Sequence, residues 1–103
     1  MGDRPGEGTT LNNIGGLYDA QGKYDQPLQT YQQALVILRE VGDRAGEGTT
    51  LNNIGRVYQD RGDHPQAREM YRQALIISRE LGAKPLEDQI LANLNSLPPE
   101  KAP

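Results

Sequence analysis

Residues 43–82 of the chain read DRAGEGTTLNNIGRVYQDRGDHPQAREMYRQALIISRELG, and this stretch nearly copies the one before it. Residues 3–42 read DRPGEGTTLNNIGGLYDAQGKYDQPLQTYQQALVILREVG. The two segments have the same length and are identical at 23 positions without a gap. Self-similarity at such a period is typical of arrays of stacked structural units.

A third, incomplete copy begins at Ala83, because Leu91 and Asn93 align with Leu51 and Asn53. This copy stops at Leu97, since Pro98 and Pro99 cannot continue a helix. We therefore divide the chain into a first repeat (3–42), a second repeat (43–82), a partial third repeat that caps the array (83–97) and a tail (98–103). The end of the tail, from Glu100, is expected to fray.

The residue pattern of each full repeat predicts two helices. Leu11, Ile14 and Tyr18 recur at the spacing of one helical stripe, and the second half of the repeat shows the same periodicity. The turn residues support this division, since Gly22 and Gly42 can end helices and Asp25 and Asp43 can cap the next ones. No segment alternates like a strand, so the predicted class is all-α. The predicted helices cover residues 5–20, 25–41, 44–60, 65–81 and 85–97.

Composition excludes several classes of protein. The chain has 103 residues, a net charge of −3 and no cysteine, so one domain without disulfides or thiolate metal sites is expected. The acidic balance argues against nucleic acid as a partner. No apolar run is long enough to cross a membrane, and the first residues do not resemble a secretory signal. We therefore expect a cytoplasmic protein that binds neither nucleic acid nor membrane.

Catalytic chemistry has little support in this sequence. His64 is the single histidine, and its place at a helix start beside Pro65 predicts an exposed side chain rather than a catalytic one. The GEGTT runs at 6–10 and 46–50 lack the Lys-Ser/Thr ending of a phosphate loop. We expect no enzyme activity, no bound metal and no cofactor.

The repeated pattern is Leu-x-x-Ile-Gly-x-x-Tyr, followed by a turn glycine and then by Tyr and Ala at helical spacing. This pattern resembles the tetratricopeptide repeat. The period of 40 residues is longer than the basic repeat, and is similar to that of the kinesin light chain and Leu-Gly-Asn adaptor subclass. One departure is Pro27, which stands where the second repeat has Ala67.

The resemblance implies a right-handed α-solenoid in which first helices line a concave groove. It also implies a protein-protein interaction module that binds a peptide or a helix of a partner protein in that groove. The candidate binding residues lie on a polar stripe beside the buried one. They are Asn12, Asn13, Asn52, Asn53, Arg56 and Asn93.

These residue types suit peptide recognition. A side-chain amide offers a donor and an acceptor to a peptide backbone, and Arg56 can hold a carboxylate through two parallel hydrogen bonds. Two alternatives remain open. The asparagines can instead bond neighbouring helices, and Arg56 can pair with Asp60 one turn later. In that case the chain is a structural scaffold, or an excised or engineered repeat fragment, with no ligand of its own.

The apolar residues of the first predicted helix indicate self-association. Nothing precedes residues 5–20 to cover the apolar set that an internal helix would bury, and uncovered apolar surface invites a partner. We therefore expect a homo-oligomer that forms through this N-terminal helix.

Overall fold

The computed structural model of the chain describes the backbone of residues 4–100 and the side chains of residues 6–100. Residues 101–103 of the predicted tail lie outside the described part. Five helices follow one another, and their bounds agree with the predicted ones to within one residue. They are α1 (Arg4–Ala20), α2 (Asp25–Val41), α3 (Arg44–Asp60), α4 (His64–Leu81) and α5 (Lys84–Ser96).

The helices form two layers. Helices α1 and α2 pack as one antiparallel hairpin and α3 and α4 as the next, while α2 contacts α3 and α4 contacts α5. The first helices also touch, since α1 contacts α3 and α3 contacts α5, whereas α2 and α4 do not meet. The layer of α1, α3 and α5 is therefore the closely spaced, concave side. The fold is an all-α helical repeat solenoid, as predicted.

Glycine sets the turns between the helices. Gly22, Gly42, Gly62 and Gly82 have φ values of 73°, 75°, 85° and 64°, which is the left-handed region that side chains disfavour. Asp43 caps α3 as predicted, because its carboxylate accepts a hydrogen bond from the Gly46 amide at 2.9 Å.

The predicted cap of α2 was wrong by one residue. Asp25 is the first residue of the helix, and Tyr24 occupies the N-cap without a side-chain hydrogen bond. Pro27 consequently falls in the first turn, where its missing amide hydrogen is harmless. Its ring is buried like Ala67 in the second repeat, so the first hairpin packs around it.

The same ion pair closes both joints between repeats. Arg39 donates to Glu47 at 3.0 Å, and Arg79 donates to Glu87 at 2.9 Å, with each pair linking the end of one repeat to the start of the next. Glu47 is buried and also accepts from Arg44 at 3.1 Å. The partial third repeat therefore docks on α4 with the geometry of the second repeat on α2.

Each hairpin is held together by a tyrosine lying on a glycine. A Cβ on Gly55 would stand 2.6 Å from the ring of Tyr71, and a Cβ on Gly15 would overlap the ring of Tyr31 in the same way. Both tyrosines are buried. The close approach at these two glycines brings α1 against α2 and α3 against α4.

Candidate functional site

The concave side carries a polar recess of about 480 Å³ between α1 and α3. Four of the six predicted residues line this recess, and two do not. The lining residues are Asn12, Asn13, Gly16, Asp19, Ala20, Tyr31, Thr49, Asn53 and Arg56. Asn52 and Asn93 lie one helix further along, at the seam between α3 and α5.

Asparagines bond one another across both seams of the concave layer. The Asn53 amide donates to the Asn12 oxygen at 3.1 Å, and the Asn93 amide donates to the Asn52 oxygen at 3.0 Å. The residues therefore meet in staggered pairs, each of which joins the first asparagine of one repeat to the second asparagine of the next. Asn52 is only 2% exposed, so it has little surface to offer a ligand.

Asn13 differs from the other asparagines of the recess. It is exposed, and no hydrogen bond to another described side chain occupies its amide. A peptide lying in the recess would find both the donor and the acceptor of Asn13 available. Among the candidate asparagines, this side chain is the best placed for a ligand.

Arg56 extends from α3 into the recess at the position that Gly16 occupies in α1. Among the arginines whose side chains the structure describes, Arg56 alone makes no ion pair, while the other six each contact a carboxylate. The alternative pairing of Arg56 with Asp60 is thus not formed in this structure. A planar cation with free donors is suited to a carboxylate.

Asp19 gives the recess an acidic wall beside this cation. One oxygen of Asp19 is buried without a hydrogen-bond partner. Burial raises the pKa of the Asp19 carboxyl, the neighbouring charge of Asp60 raises it further, and Arg56 opposes both effects. The recess therefore holds separated charges of both signs within electrostatic range.

The two repeats differ at the position of Asp19, which is Gln59 in the second repeat. In the second repeat, Tyr71 donates to Gln59 at 2.7 Å, and burial raises the pKa of Tyr71 to about 12. In the first repeat Asp19 replaces that glutamine, and the pKa of Tyr31 is raised by burial first and by Asp19 second. The departure from the repeat pattern thus coincides with the recess.

Sequence reasoning missed three residues that line this recess, Ala20, Tyr31 and Thr49. The ring of Tyr31 is buried in the core, although its edge reaches the recess. Thr49 could have been predicted from the sequence, because Thr49, Asn53 and Arg56 lie on one helical stripe. Within residues 6–100, no cluster of histidine and carboxylate side chains could hold a metal ion, and none of the described helices is long and apolar enough for a membrane crossing.

Comparison with known families agrees with this architecture. The family model described as tetratricopeptide repeat matches residues 6–80, about three quarters of the chain. A search of curated proteins finds no match. Members of this family are generally non-catalytic and act in protein-protein interaction or as scaffolds. The repeated helical hairpins and the family match together establish that the chain belongs to the tetratricopeptide repeat family.

Proposed function

We propose that the concave recess between α1 and α3 binds a peptide or a helix of a partner protein. In this proposal Asn13 and Arg56 make the principal contacts, with Asn12 and Asn53 beside them. Asn93 lies on the continuation of the same side along α5, whereas the buried Asn52 holds Asn93 in place through its hydrogen bond. The role is that of an interaction module without catalytic chemistry.

The unpaired guanidinium of Arg56 is the observation that supports this proposal best. Every other described arginine side chain is satisfied by a carboxylate of the chain itself. Arg56 lies within electrostatic range of the Asp19 carboxylate, and it forms no ion pair with it or with any other described carboxylate. A carboxylate of a bound peptide would supply the missing partner.

Backbone recognition by amides would give a site of modest affinity. A neutral hydrogen bond contributes about 0.5–1.5 kcal/mol net, and a charge-assisted bond to Arg56 contributes about twice as much. A handful of such contacts leads to roughly micromolar binding. Weak, sequence-tolerant binding suits a groove that reads a peptide backbone.

The test uses a random peptide library selected on the immobilised chain, followed by anisotropy measurements with the peptides retained. Asn13→Ala is expected to weaken binding several-fold without changing the melting temperature, because Asn13 makes no seam contact. Arg56→Glu is expected to abolish binding of acidic peptides and to favour basic ones. Asn53→Ala should weaken binding and also lower stability by about 0.5–1.5 kcal/mol, since it removes the bond to Asn12.

Asn95→Ala provides the matched control, because Asn95 is exposed on α5 and lies off the recess. Its affinities should equal those of the unmodified chain. If the retained peptides bind Asn13→Ala and Arg56→Glu as well as they bind the unmodified chain, the recess is not the binding site.

The second candidate function is a scaffold without a ligand of its own. The observation in its favour is that the asparagine pairs Asn12–Asn53 and Asn52–Asn93 bond one helix to the next. If the library yields no peptide and Asn53→Ala changes only the melting temperature, the asparagines serve the seams alone, and the scaffold becomes the better assignment.

We also infer that two copies associate through the uncovered side of α1. Ile14 is 36% exposed and Leu17 is 65% exposed, whereas the equivalent Ile54 and Val57 of α3 are 2% and 0% exposed. In α3 this side packs towards α2. The apolar side chains on α1 therefore lack the cover that their counterparts possess, and pairing with a second copy would bury them.

Sedimentation at increasing concentration checks this inference, with a dimer expected at high concentration. Leu17→Glu should shift the chain to monomer, because it would place a charge in the contact. Val36→Glu is the control, since Val36 is similarly exposed on the other layer and should leave the dimer intact. A pure monomer at all concentrations contradicts the inference.

The proposed role also bears on nucleic acid binding and on where the protein is located. A module that binds protein partners with a net charge of −3 is poorly suited to nucleic acid. We propose a cytoplasmic location for it, which microscopy of the fluorescently tagged chain would test.

A further inference from the structure

The segment after α5 folds back onto the outer layer of the solenoid. Leu97 is buried in the core cluster. The carbonyl of Pro98 accepts a hydrogen bond from Arg68 at 2.6 Å, and the carboxylate of Glu100 pairs with Arg72 at 2.8 Å and with Arg68 at 3.4 Å. Glu100 is thus held against α4, where the sequence predicted a fraying tail.

The face of α4 that receives this segment is basic, and only in the second repeat. His64, Arg68 and Arg72 follow one another at intervals of four residues, so they lie on one side of the helix. Their counterparts in the first repeat are Tyr24, Leu28 and Gln32, none of which is a basic residue. Three basic substitutions on one helix face distinguish two repeats that are otherwise closely similar.

The segment does not fill the space beside this face. A recess of about 740 Å³ remains, and it is lined by the basic row together with Pro65, Pro98, Pro99 and Glu100. His64 is half-buried, and its Nδ1 atom is buried without a hydrogen-bond partner. The predicted exposed histidine therefore borders this recess, with one ring nitrogen unsatisfied.

We propose that the face of α4 formed by His64, Arg68 and Arg72 is a second binding site, which takes an acidic, proline-containing peptide of a partner protein. The segment Pro98–Glu100 shows the chemistry of the occupant, because it presents two prolines, a backbone carbonyl and a carboxylate to this face. In this structure the chain occupies its own site. The site lies on the layer opposite the concave recess and is independent of it.

The contacts of Glu100 are of a kind that a competitor can replace. Its carboxylate is 56% exposed and Arg72 is 58% exposed, and exposed ion pairs contribute little because water competes for both charges. What favours the internal segment is its tether, which gives it an effective concentration of roughly millimolar. A partner peptide that adds contacts inside the recess can therefore displace it.

The test uses two synthetic peptides and the full chain. One labelled peptide has the sequence Asn-Ser-Leu-Pro-Pro-Glu with an amidated end, and the other carries glutamine in place of the glutamate. Glu100→Gln should weaken the internal segment, so that the glutamate peptide binds this variant about two- to five-fold more tightly than it binds the unmodified chain, which is the range of one exposed ion pair. Adding Arg72→Gln should reduce the preference for the glutamate peptide, and adding Arg68→Gln as well should abolish it, since both arginines contact the Glu100 carboxylate.

Arg79→Gln is the matched control, because Arg79 lies on the same helix and pairs with Glu87 away from the recess. In the Glu100→Gln background it should leave the preference unchanged, and so should Asn13→Ala on the concave side. If the glutamate and glutamine peptides bind the Glu100→Gln variant equally, or if neither binds any variant at millimolar concentration, the proposal is overturned. Circular dichroism of each variant confirms that the helices are retained.

Discussion

Ending the chain after Gly82 is expected to lower the free energy of unfolding by several kcal/mol. This truncation removes α5 and with it Ile90, which is completely buried, and Leu97, which is nearly so. Leu86 and Leu94 pack against the same core. Each large apolar side chain contributes about 1.5–3 kcal/mol when it is fully buried, and small domains have only about 5–15 kcal/mol in total.

Urea and thermal unfolding followed by circular dichroism measure this loss. Ile90→Ala provides an intermediate step, with an expected loss of about 2–5 kcal/mol, while the exposed Asn95→Ala controls for substitution within α5. An unchanged melting temperature after truncation would show that α5 does not stabilise the second repeat. A complete loss of helical signal would show that the two full repeats do not fold without it.

Gly55→Ala is the second substitution with a large expected effect, a loss of about 1–3 kcal/mol from overpacking. The added methyl group would stand 2.6 and 2.7 Å from two ring carbons of Tyr71. The ring is fully buried and donates a hydrogen bond to Gln59, so it cannot move aside without breaking that bond. The loss persists although alanine is the better helix former.

Gly16→Ala is the matched control for this prediction. Gly16 lies one residue after the glycine that contacts Tyr31, and a Cβ there meets only the Tyr31 hydroxyl, at an ordinary 3.7 Å. Alanine should therefore stabilise α1 by up to about 1 kcal/mol through its helix propensity. Opposite signs for Gly55→Ala and Gly16→Ala in urea unfolding support tyrosine packing as the cause, and a stabilising Gly55→Ala would contradict it.

The helices could be predicted closely from the sequence because periodicity and turn chemistry agree. Gly42 ends α2, Asp43 caps α3, and the apolar stripe between the turns fixes the buried face. The misplaced cap of α2 has a local cause, since Asp25 fits the residue preference of a cap but already belongs to the helix, and Tyr24 occupies the N-cap without a side-chain hydrogen bond. A residue preference does not state whether the hydrogen bond forms.

The candidate site could be predicted only in outline. The stripe containing Asn13 and Arg56 was visible as a helical pattern, but the pairing of Asn53 with Asn12 depends on how far neighbouring helices are offset. That offset arises from the packing of whole hairpins, such as Tyr31 on Gly15, and no local pattern encodes it. The same holds for Glu100, whose partners on α4 lie about 30 residues away in sequence.

The four glycines with positive φ make it possible to add or remove a whole repeat without changing the rest of the fold. Every joint between consecutive helices uses the same left-handed residue, and both joints between repeats carry the same arginine-glutamate pair. An in-frame duplication or deletion of one 40-residue unit would therefore join helices through a turn and a contact that already exist. Copy number can then vary in a single genetic event, and the concave surface lengthens or shortens by one unit without a new interface.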